Sequence, residues 1–323
     1  MSSKSNDNGR AYEYAWLRTL ADALSKYRKI NVSNSSSLVA LQNSWDKCAE
    51  EEKDLFYTSA HAAVKTILEL EPRMIENDDD ILILKSIKDK EGIAGDVRDI
   101  VIRRDNINWE IGLSIKHNHE AVKHSRLSPS IDFGKEWYNI PCSNNYWSKI
   151  LPIFERLKTE KSKGTKWSQL QDKQDSIYLP LLQSFMDEVQ RAYAIDHSMA
   201  RRMVEYLIGV KDFYKIISLD NKYLTLIRTF NLHNTLNKPS KIKISAIKVP
   251  VVSLPTELTA IKLKRNTKTT IEMYFNNGWQ LNFRIHSAET KVIPSLKFDI
   301  QFVGMPVSVM SFECRWHSFN KEN

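Results

Sequence analysis

The sequence is poor in cysteine, glycine and proline and has no long apolar run, and each shortage excludes a class of protein. Three widely spaced cysteines without a CxxC pair exclude a disulfide-stapled domain and a zinc site built from cysteine. Nine glycines and ten prolines in 323 residues exclude fibrous and low-complexity designs. No apolar run reaches the ~18 residues of a membrane span. Residues 1–10 are polar and lack the apolar segment of a secretory signal, so we expect a cytoplasmic protein with reduced thiols and no membrane partner.

Charged residues are abundant, with 47 Lys and Arg against 39 Asp and Glu and a formal net charge of +8. The hydrophobic fraction of 42% is that of an ordinary globular protein. The length predicts about two domains, or one large domain with an elaboration. A moderate basic excess favours a polyanionic partner only where the cations cluster, so their positions matter more than their number.

Apolar periodicity predicts helices in the first part of the chain and short strands after them. Residues 11–27 have helical spacing, and residues 38–70 predict one or two further helices that end before Pro72. Residues 105–108 have the composition of a hairpin turn between two strands, and residues 117–126 return to a helical pattern. The predicted strands are residues 81–87, 99–104 and 109–116.

The rest of the chain divides into a helical part and a strand-rich part. Aromatic residues and helical spacing dominate residues 133–209, and strands return from about residue 210. The order of elements predicts an α/β (α+β) fold with a mixed sheet. The late strands are predicted at residues 241–249, 279–285, 296–303 and 307–312.

The most informative feature is an acidic residue at the start of one strand and a lysine at the end of the next. Asp99 opens a predicted apolar strand and Lys116 closes its hairpin partner, so the two side chains can meet. Carboxylates hold Mg²⁺, which polarises a phosphate and lowers the pKa of a bound water, while a lysine orients that water or offsets charge. The pattern predicts metal-dependent phosphodiester hydrolysis, with Asp96 as a second candidate carboxylate. The alternative is a salt-bridged turn in which Arg98 neutralises its acidic neighbours.

This order of elements resembles the PD-(D/E)xK nuclease superfamily, with one departure. The superfamily has a carboxylate two residues before the lysine, and Ser114 stands there instead. Glu110 is about 20 Å from Lys116 at ~3.3 Å per residue, which is too far to share one ion. We therefore expect the missing metal ligand to be Glu120 or a glutamate of the preceding helix, with Ser114 hydrogen-bonded within the site. The glutamates of that helix are Glu50, Glu51, Glu52, Glu69 and Glu71.

The segment after Lys116 is rich in polar and basic side chains and contains one acid, Glu120. On a helix that leaves the catalytic strand, such a face would hold DNA phosphates beside the metal. A solvated helix face is the alternative. The candidate DNA-binding residues are His117, Asn118, His119, Lys123, His124 and Arg126.

Three longer blocks carry a more specific resemblance. They are NGRAYEYAWLRTL (8–20), GDVRDIVIRR…WEIGLSIKHNHEAVKHSRLS (95–128) and NNGWQLNFRIHSAETKVIPSLKFDIQFVGMP (276–306). Through these blocks the chain resembles the HaeIII family of type II restriction endonucleases. The resemblance implies Mg²⁺-dependent cleavage of double-stranded DNA at GGCC, cut to blunt ends at its centre. It also implies a restriction–modification system, with a DNA methyltransferase of the same target as a genetic neighbour.

The third block has residue types that can read base edges. Arg284 and His286 are two apart on one predicted strand, and Lys297 and Asp299 are two apart on another, so each pair shares a face. Arg or Lys pairs with guanine O6 and N7, and an acid accepts from cytosine N4. Polar alternation on a half-exposed sheet explains the same pattern without DNA.

We predict a type II restriction endonuclease in three consecutive regions. These are N-terminal helices with the catalytic nuclease core (1–130), a helical region (131–209) and a β-rich DNA-recognition region (210–323). Two rivals stay open: a structure-specific DNA repair nuclease with the same core, and a non-catalytic DNA-binding protein in which Ser114 marks lost activity. A palindromic target suits a homodimer, and a monomer that cuts the strands in turn fits as well.

Overall fold

The computed structural model describes residues 4–87, 95–120, 124–241, 244–287 and 289–316. Within these ranges, helices and strands form the mixed α/β arrangement that the sequence predicts. The helices are α1 (Lys4–Ser25), α2 (Ser36–Asp46), α3 (Glu50–Leu70), α4 (Phe133–Tyr138), α5 (Asn144–Ser162), α6 (Leu179–Ile195) and α7 (Met199–Ile208). The strands are β1 (Ile30–Val32), β2 (Leu82–Ser86), β3 (Ile100–Arg104), β4 (Trp109–His117), β5 (His124–Leu127), β6 (Phe213–Leu219), β7 (Leu224–Phe230), β8 (Leu258–Leu263), β9 (Thr270–Phe275), β10 (Gln280–His286), β11 (Leu296–Gly304) and β12 (Ser311–Arg315).

The chain groups by contact into two compact units, and each unit is assembled from separate stretches of chain. The first unit comprises Met1–Glu120, Gly209–Val252 and Val307–Asn323, and the second comprises Ala121–Ile208 and Ser253–Pro306. The assignment of catalysis and DNA recognition to three consecutive regions of the chain remains a prediction.

Helices α1 and α3 form because their apolar residues recur every three to four positions and give each helix one buried stripe. The stripe of α1 includes Tyr12, Trp16 and Leu20, and that of α3 includes Phe56 and Ile67, all at most 1% exposed. Both stripes pack on one face of the sheet in the first unit. The helices predicted before residue 72 are confirmed. None of the described helices is long and apolar enough to cross a membrane.

The first unit contains a seven-stranded mixed sheet in the order β1-β2-β3-β4-β6-β7-β12. The pairs β1–β2 and β4–β6 are parallel, and the other neighbours are antiparallel. The strands predicted between residues 81 and 116 are confirmed as β2, β3 and β4. The parallel pair joins two hairpins, β3–β4 and β6–β7, that are far apart in the sequence.

The β3–β4 hairpin has the predicted turn. Asp105–Ile107 form a 3-10 turn, and Asn108 adopts a φ of 46°, a left-handed conformation that asparagine tolerates better than most residues. The register pairs Ile100 with Leu113. Asp99, one residue before β3, therefore lies beside the second half of β4.

The second unit contains a five-stranded antiparallel sheet in the order β5-β11-β10-β9-β8. Buried and more exposed residues alternate along β10, so one face of the sheet is apolar and the other is polar. Phe283 and Phe298 on the apolar face contact Trp137 of α4 and Phe185 of α6, with ring centroids 5.0 to 6.4 Å apart. The predicted helical middle region is confirmed, as are the strands predicted around residues 280 and 300.

The helix predicted for residues 117–126 is wrong. Strand β4 runs into the start of this range, Asn118 turns the chain with a φ of 52°, and β5 then pairs with β11. The segment has no apolar stripe for a helix to bury, whereas Ser125 and Leu127 are buried at alternate positions, as a strand requires. Residues 121–123 lie outside the described residues.

The strand predicted for residues 241–249 is absent from the described part of that range. The backbone of Val249 is satisfied by two asparagine side chains instead. Its N–H donates to Asn237 Oδ1 at 3.0 Å, and its carbonyl accepts from Asn231 Nδ2 at 3.2 Å. Side-chain amides that bind the backbone in this way compete with strand pairing. The last strand, β12, begins later than predicted.

Candidate functional site

The acid and the lysine predicted to meet are in contact at one end of the β3–β4 hairpin. Lys116 Nζ donates to Asp99 Oδ2 at 3.1 Å, and Ile115 N donates to the same oxygen at 2.6 Å. The backbone of Asp99 is held as well, because its N–H donates to Leu113 O at 2.7 Å. Both charged side chains are partly exposed, so a substrate can reach them.

Lys116 shares its face of the sheet with a row of polar residues that crosses three strands. Ser114 on β4 is the cross-strand partner of Lys215 on β6, which in turn is the partner of Arg228 on β7. Cross-strand partners project to the same face, and Lys116 is two residues from Ser114, so all four share that face. Alternate residues such as Ile115 point into the core under α1 and α3.

Lys215 is a charged residue of this site that the sequence did not reveal. Only 2% of it is exposed, and its Nζ donates to Glu120 O at 2.8 Å. Its pKa is lowered to about 7, mainly by burial and in smaller part by the cations of Lys116 and Arg228. The carboxylates of Glu120 and Asp99 act on the same pKa in the opposite direction, so four charged groups act on Lys215. The available signal was a lysine inside the mostly apolar strand FYKIISL.

Glu120 reaches the same place from a stretch outside any helix or strand. Its Oε2 lies 3.4 Å from Arg228 Nη1. Of the other candidate glutamates, Glu71 accepts a hydrogen bond from Tyr214 in the core on the opposite face. Glutamates along α3 make local contacts, namely Glu50 with Lys53, Glu52 with the N–H of Ala49 and Glu69 with Lys65. Glu120 is therefore the glutamate that the fold brings towards Asp99 and Lys116.

Asp96, the second candidate carboxylate, belongs to a different ion-pair cluster. Arg98 donates to it from Nε and Nη2, both at 2.8 Å, and from its backbone N at 3.1 Å. Arg98 Nη1 also donates to Glu110 Oε1 at 3.0 Å. The Arg98 stem crosses Gly112 so closely that a Cβ there would lie 1.9 Å from Arg98 Cδ. Asp96 thus sits in the salt-bridged turn that was the alternative to catalysis, whereas Asp99 contacts Lys116.

Two of the candidate DNA-binding residues make contacts that support the fold. The His117 ring lies 4.9 Å from the Phe56 ring, and its Nε2 lies 2.6 Å from Asp220 Oδ2. Asn118 Nδ2 donates to the same oxygen at 2.7 Å, and Asn118 Oδ1 accepts from Asp220 N at 2.9 Å. These contacts tie the turn after β6 to the end of β4. His119, the next residue, is partly exposed.

The remaining candidates lie in the second unit, along neighbouring strands of its sheet. Positions two apart on a strand share a face, so the register places these residues on the polar face. Lys123 and the side chain of His124 lie outside the described residues. The two cross-strand rows are Arg126–Lys297–His286 and His124–Asp299–Arg284.

Asp299 supports Arg284 on this polar face. The Arg284 side chain is 59% exposed, whereas the Asp299 side chain is only 6% exposed. Asp299 Oδ2 lies 3.4 Å from Arg284 Nη2 and 3.3 Å from Gln301 Nε2. A buried carboxylate that accepts from an exposed guanidinium restricts the directions in which the guanidinium can point. Arg284 is thus available to a ligand, and Asp299 orients it.

The donor set at Asp99 and Glu120 suits a hard divalent ion that binds together with a substrate. No group of three His, Cys, Asp or Glu side chains in the described ranges could hold a metal ion by itself. Mg²⁺ does not need such a group, because it keeps several waters and binds through one or two carboxylates plus substrate phosphates. The carboxylates of Asp99, beside Lys116, and of Glu120, beside Arg228, therefore suit Mg²⁺ completed by waters and substrate, and they do not make a preformed multi-ligand metal centre.

These features define a class of protein. An α+β fold with an acid–lysine pair at a strand end, and a second acid on the irregular chain that follows, has the residue set of a nuclease. The sequence model of the HaeIII restriction endonuclease family matches residues 9–306, and the chain belongs to this family. It is 50% identical over 317 residues to the type II restriction enzyme HaeIII of Haemophilus aegyptius. The matched residues make up 98% of this chain and 99% of that enzyme. No solved structure matches the chain. The resemblance carried by the three sequence blocks is confirmed, and with it the enzyme class, a site-specific deoxyribonuclease.

Proposed function

We propose that this enzyme cleaves double-stranded DNA at GGCC, to blunt ends, in a Mg²⁺-dependent reaction. Family membership supports the target. The observation that supports the chemistry is the contact between Asp99 and Lys116, with Glu120 held on the same face of the sheet. Carboxylates that can hold a divalent ion near a lysine suit metal-dependent hydrolysis of a phosphodiester.

Each residue of the site has a proposed role. Asp99 and Glu120 hold the ion, which when bound polarises the scissile phosphate and lowers the pKa of water. Lys116, 3.1 Å from Asp99, orients the attacking water or offsets the charge that develops on the phosphate. Ser114 contributes a hydroxyl on the same face, at the position where the superfamily resemblance predicts a carboxylate.

Sequence recognition is assigned to the polar face of the second sheet. Arg284 and Lys297 are the proposed guanine readers, because guanine presents O6 and N7 as acceptors in the major groove. Asp299 is too buried to reach a cytosine edge, and its proposed role is to hold Arg284 in its reading direction. The proposed phosphate contacts are His119, Lys123, His124, Arg126 and His286.

The deciding experiment incubates the purified protein with a plasmid of known sequence, with Mg²⁺ or with EDTA, and maps the ends. We expect discrete blunt fragments that end at GG/CC and appear only with Mg²⁺. Cutting that follows branches or damage instead of sequence would favour a repair nuclease. DNA that is bound but not cut with any divalent ion would favour the non-catalytic protein, with Ser114 as the reason.

The twofold symmetry of GGCC favours a homodimer on DNA. Light scattering of the protein with and without a GGCC duplex tests this, because two chains per duplex are expected and one chain per duplex would contradict it. We also propose that the enzyme acts in the cytoplasm and that its gene lies beside the gene of a methyltransferase with the same target. If GGCC sites in the genomic DNA of the source organism are fully cut, no such methyltransferase protects them and the proposed neighbour is contradicted.

A further inference from the structure

The carboxylate that completes the proposed metal site comes from irregular chain. Ser114 stands in the strand position where a carboxylate is missing, and Glu120 lies beyond the end of β4 at His117. Chain outside helices and strands has no ladder of backbone hydrogen bonds to hold it in place. A metal ligand works best when neighbouring groups lock its position, so Glu120 needs a restraint from elsewhere.

Lys215 supplies that restraint. Its side chain is buried on the face of the site, and its Nζ donates to Glu120 O at 2.8 Å. Lys215 is also the cross-strand partner of Ser114, so the restraint comes from the residue directly beside the position that lacks the carboxylate. Arg228, the next residue in the row, lies 3.4 Å from Glu120 Oε2. Two neighbours in one row therefore hold the main chain and the side chain of Glu120.

A purely structural role accounts poorly for Lys215. Burying an ammonium group costs free energy, Lys116 and Arg228 add the repulsion of two further cations, and the carboxylates of Glu120 and Asp99 offset only part of this cost. An apolar side chain of similar length would stabilise the centre of the sheet better. A buried charge that adds no stability to the fold is typical of a functional site.

We propose that Lys215 is a positioning residue that seats Glu120 as the second metal ligand, in place of the carboxylate that is absent at Ser114. The inference rests on the proposed role of Glu120 in binding the ion. Lys215 does not touch the reacting atoms and acts through Glu120. Removal of a group that supports a metal ligand typically weakens metal affinity by about 10–100-fold.

The test compares Lys215→Met with Glu120→Gln, with the double variant, and with Lys222→Met as a control at an exposed turn lysine. Two properties are measured: the Mg²⁺ concentration for half-maximal cleavage of a GGCC duplex, and Mn²⁺ binding by calorimetry to the protein on a non-hydrolysable duplex. For Lys215→Met we expect both to weaken by about 10–100-fold. DNA affinity in EDTA and the melting temperature should not fall. The double variant should bind Mn²⁺ no worse than Glu120→Gln alone.

The two possible failures give different results. Wild-type Mn²⁺ affinity in Lys215→Met, whatever happens to the rate, overturns the inference and leaves the metal site intact. Normal cleavage by Glu120→Gln overturns the proposed metal site and the inference with it. If Lys215→Met does not fold, Lys215→Arg decides, because it keeps the charge but displaces the donor. An intermediate loss of Mn²⁺ affinity then supports the inference, and wild-type affinity overturns it.

Discussion

Ser114 and Lys215 are cross-strand partners on the parallel strands β4 and β6, and Lys215 extends from that position to the main-chain carbonyl of Glu120, 2.8 Å away. A serine next to a buried lysine thus occupies the position at which the superfamily resemblance predicts a carboxylate. The charge at this end of the sheet is therefore set by residues from several strands and one irregular stretch. Single substitutions there should separate metal binding, catalysis and stability.

Lys116→Ala should keep DNA binding and lose cleavage rate by at least about 100-fold, because the ammonium beside Asp99 is removed while the core is untouched. Single-turnover cleavage and gel-shift binding measure the two effects. Lys222→Ala, at an exposed turn, is the control and should behave like the wild type. Normal cutting by Lys116→Ala would remove this lysine from the mechanism.

Asp99→Asn and Asp96→Asn should separate catalysis from stability, because the two carboxylates have different partners. Asp99→Asn should abolish cleavage with little change in folding. Asp96→Asn should still cut but unfold more easily, by about 1–3 kcal/mol, because the mostly buried Arg98 loses the charge of Asp96 and keeps that of the more exposed Glu110. Cleavage assays and urea titrations give both quantities. An inactive Asp96→Asn with an active Asp99→Asn would reverse the two roles.

Arg284→Ala should weaken binding to a GGCC duplex by about 1–3 kcal/mol and change non-specific binding little. Asp299→Asn should have a smaller effect in the same direction, because the guanidinium remains but loses its charged support. Competition between GGCC and GACC duplexes measures the difference. Lys262→Ala, on β8 of the same sheet, is the matched control. An equal loss on both duplexes would mark Arg284 as a phosphate contact.

Glu71 should make stability depend on pH. Burial raises the pKa of Glu71 from 4.5 to about 7. Between these values the folded state keeps a proton that the unfolded chain releases. Raising the pH through this window therefore lowers the free energy of unfolding, by up to about 3 kcal/mol.

Glu71→Gln removes the ionisable group and should remove this slope. The variant should match the wild type near the lower end of the window and be more stable than it above the upper end. Urea titrations at a series of pH values test this. A variant with the slope of the wild type would show that another group titrates there.

The sequence by itself determined the parts of the protein whose causes are local. Apolar stripes with helical period set the buried faces of α1 and α3. Two strand-like runs joined by a short polar turn pair as a hairpin, so the meeting of Asp99 with Lys116 could be predicted from the chain alone.

Only the tertiary structure decided that Lys215 and Arg228 join that pair, and that residues 124–127 form an edge strand of the other sheet. The parallel pairing of β4 with β6 unites stretches separated by the whole helical region, and its register depends on packing across the sheet. The hydrogen bonds of β5 likewise come from β11, a partner far along the chain. Local periodicity contains no information about either partner, so the sequence alone does not reveal the buried lysine and wrongly favours a helix for the basic segment.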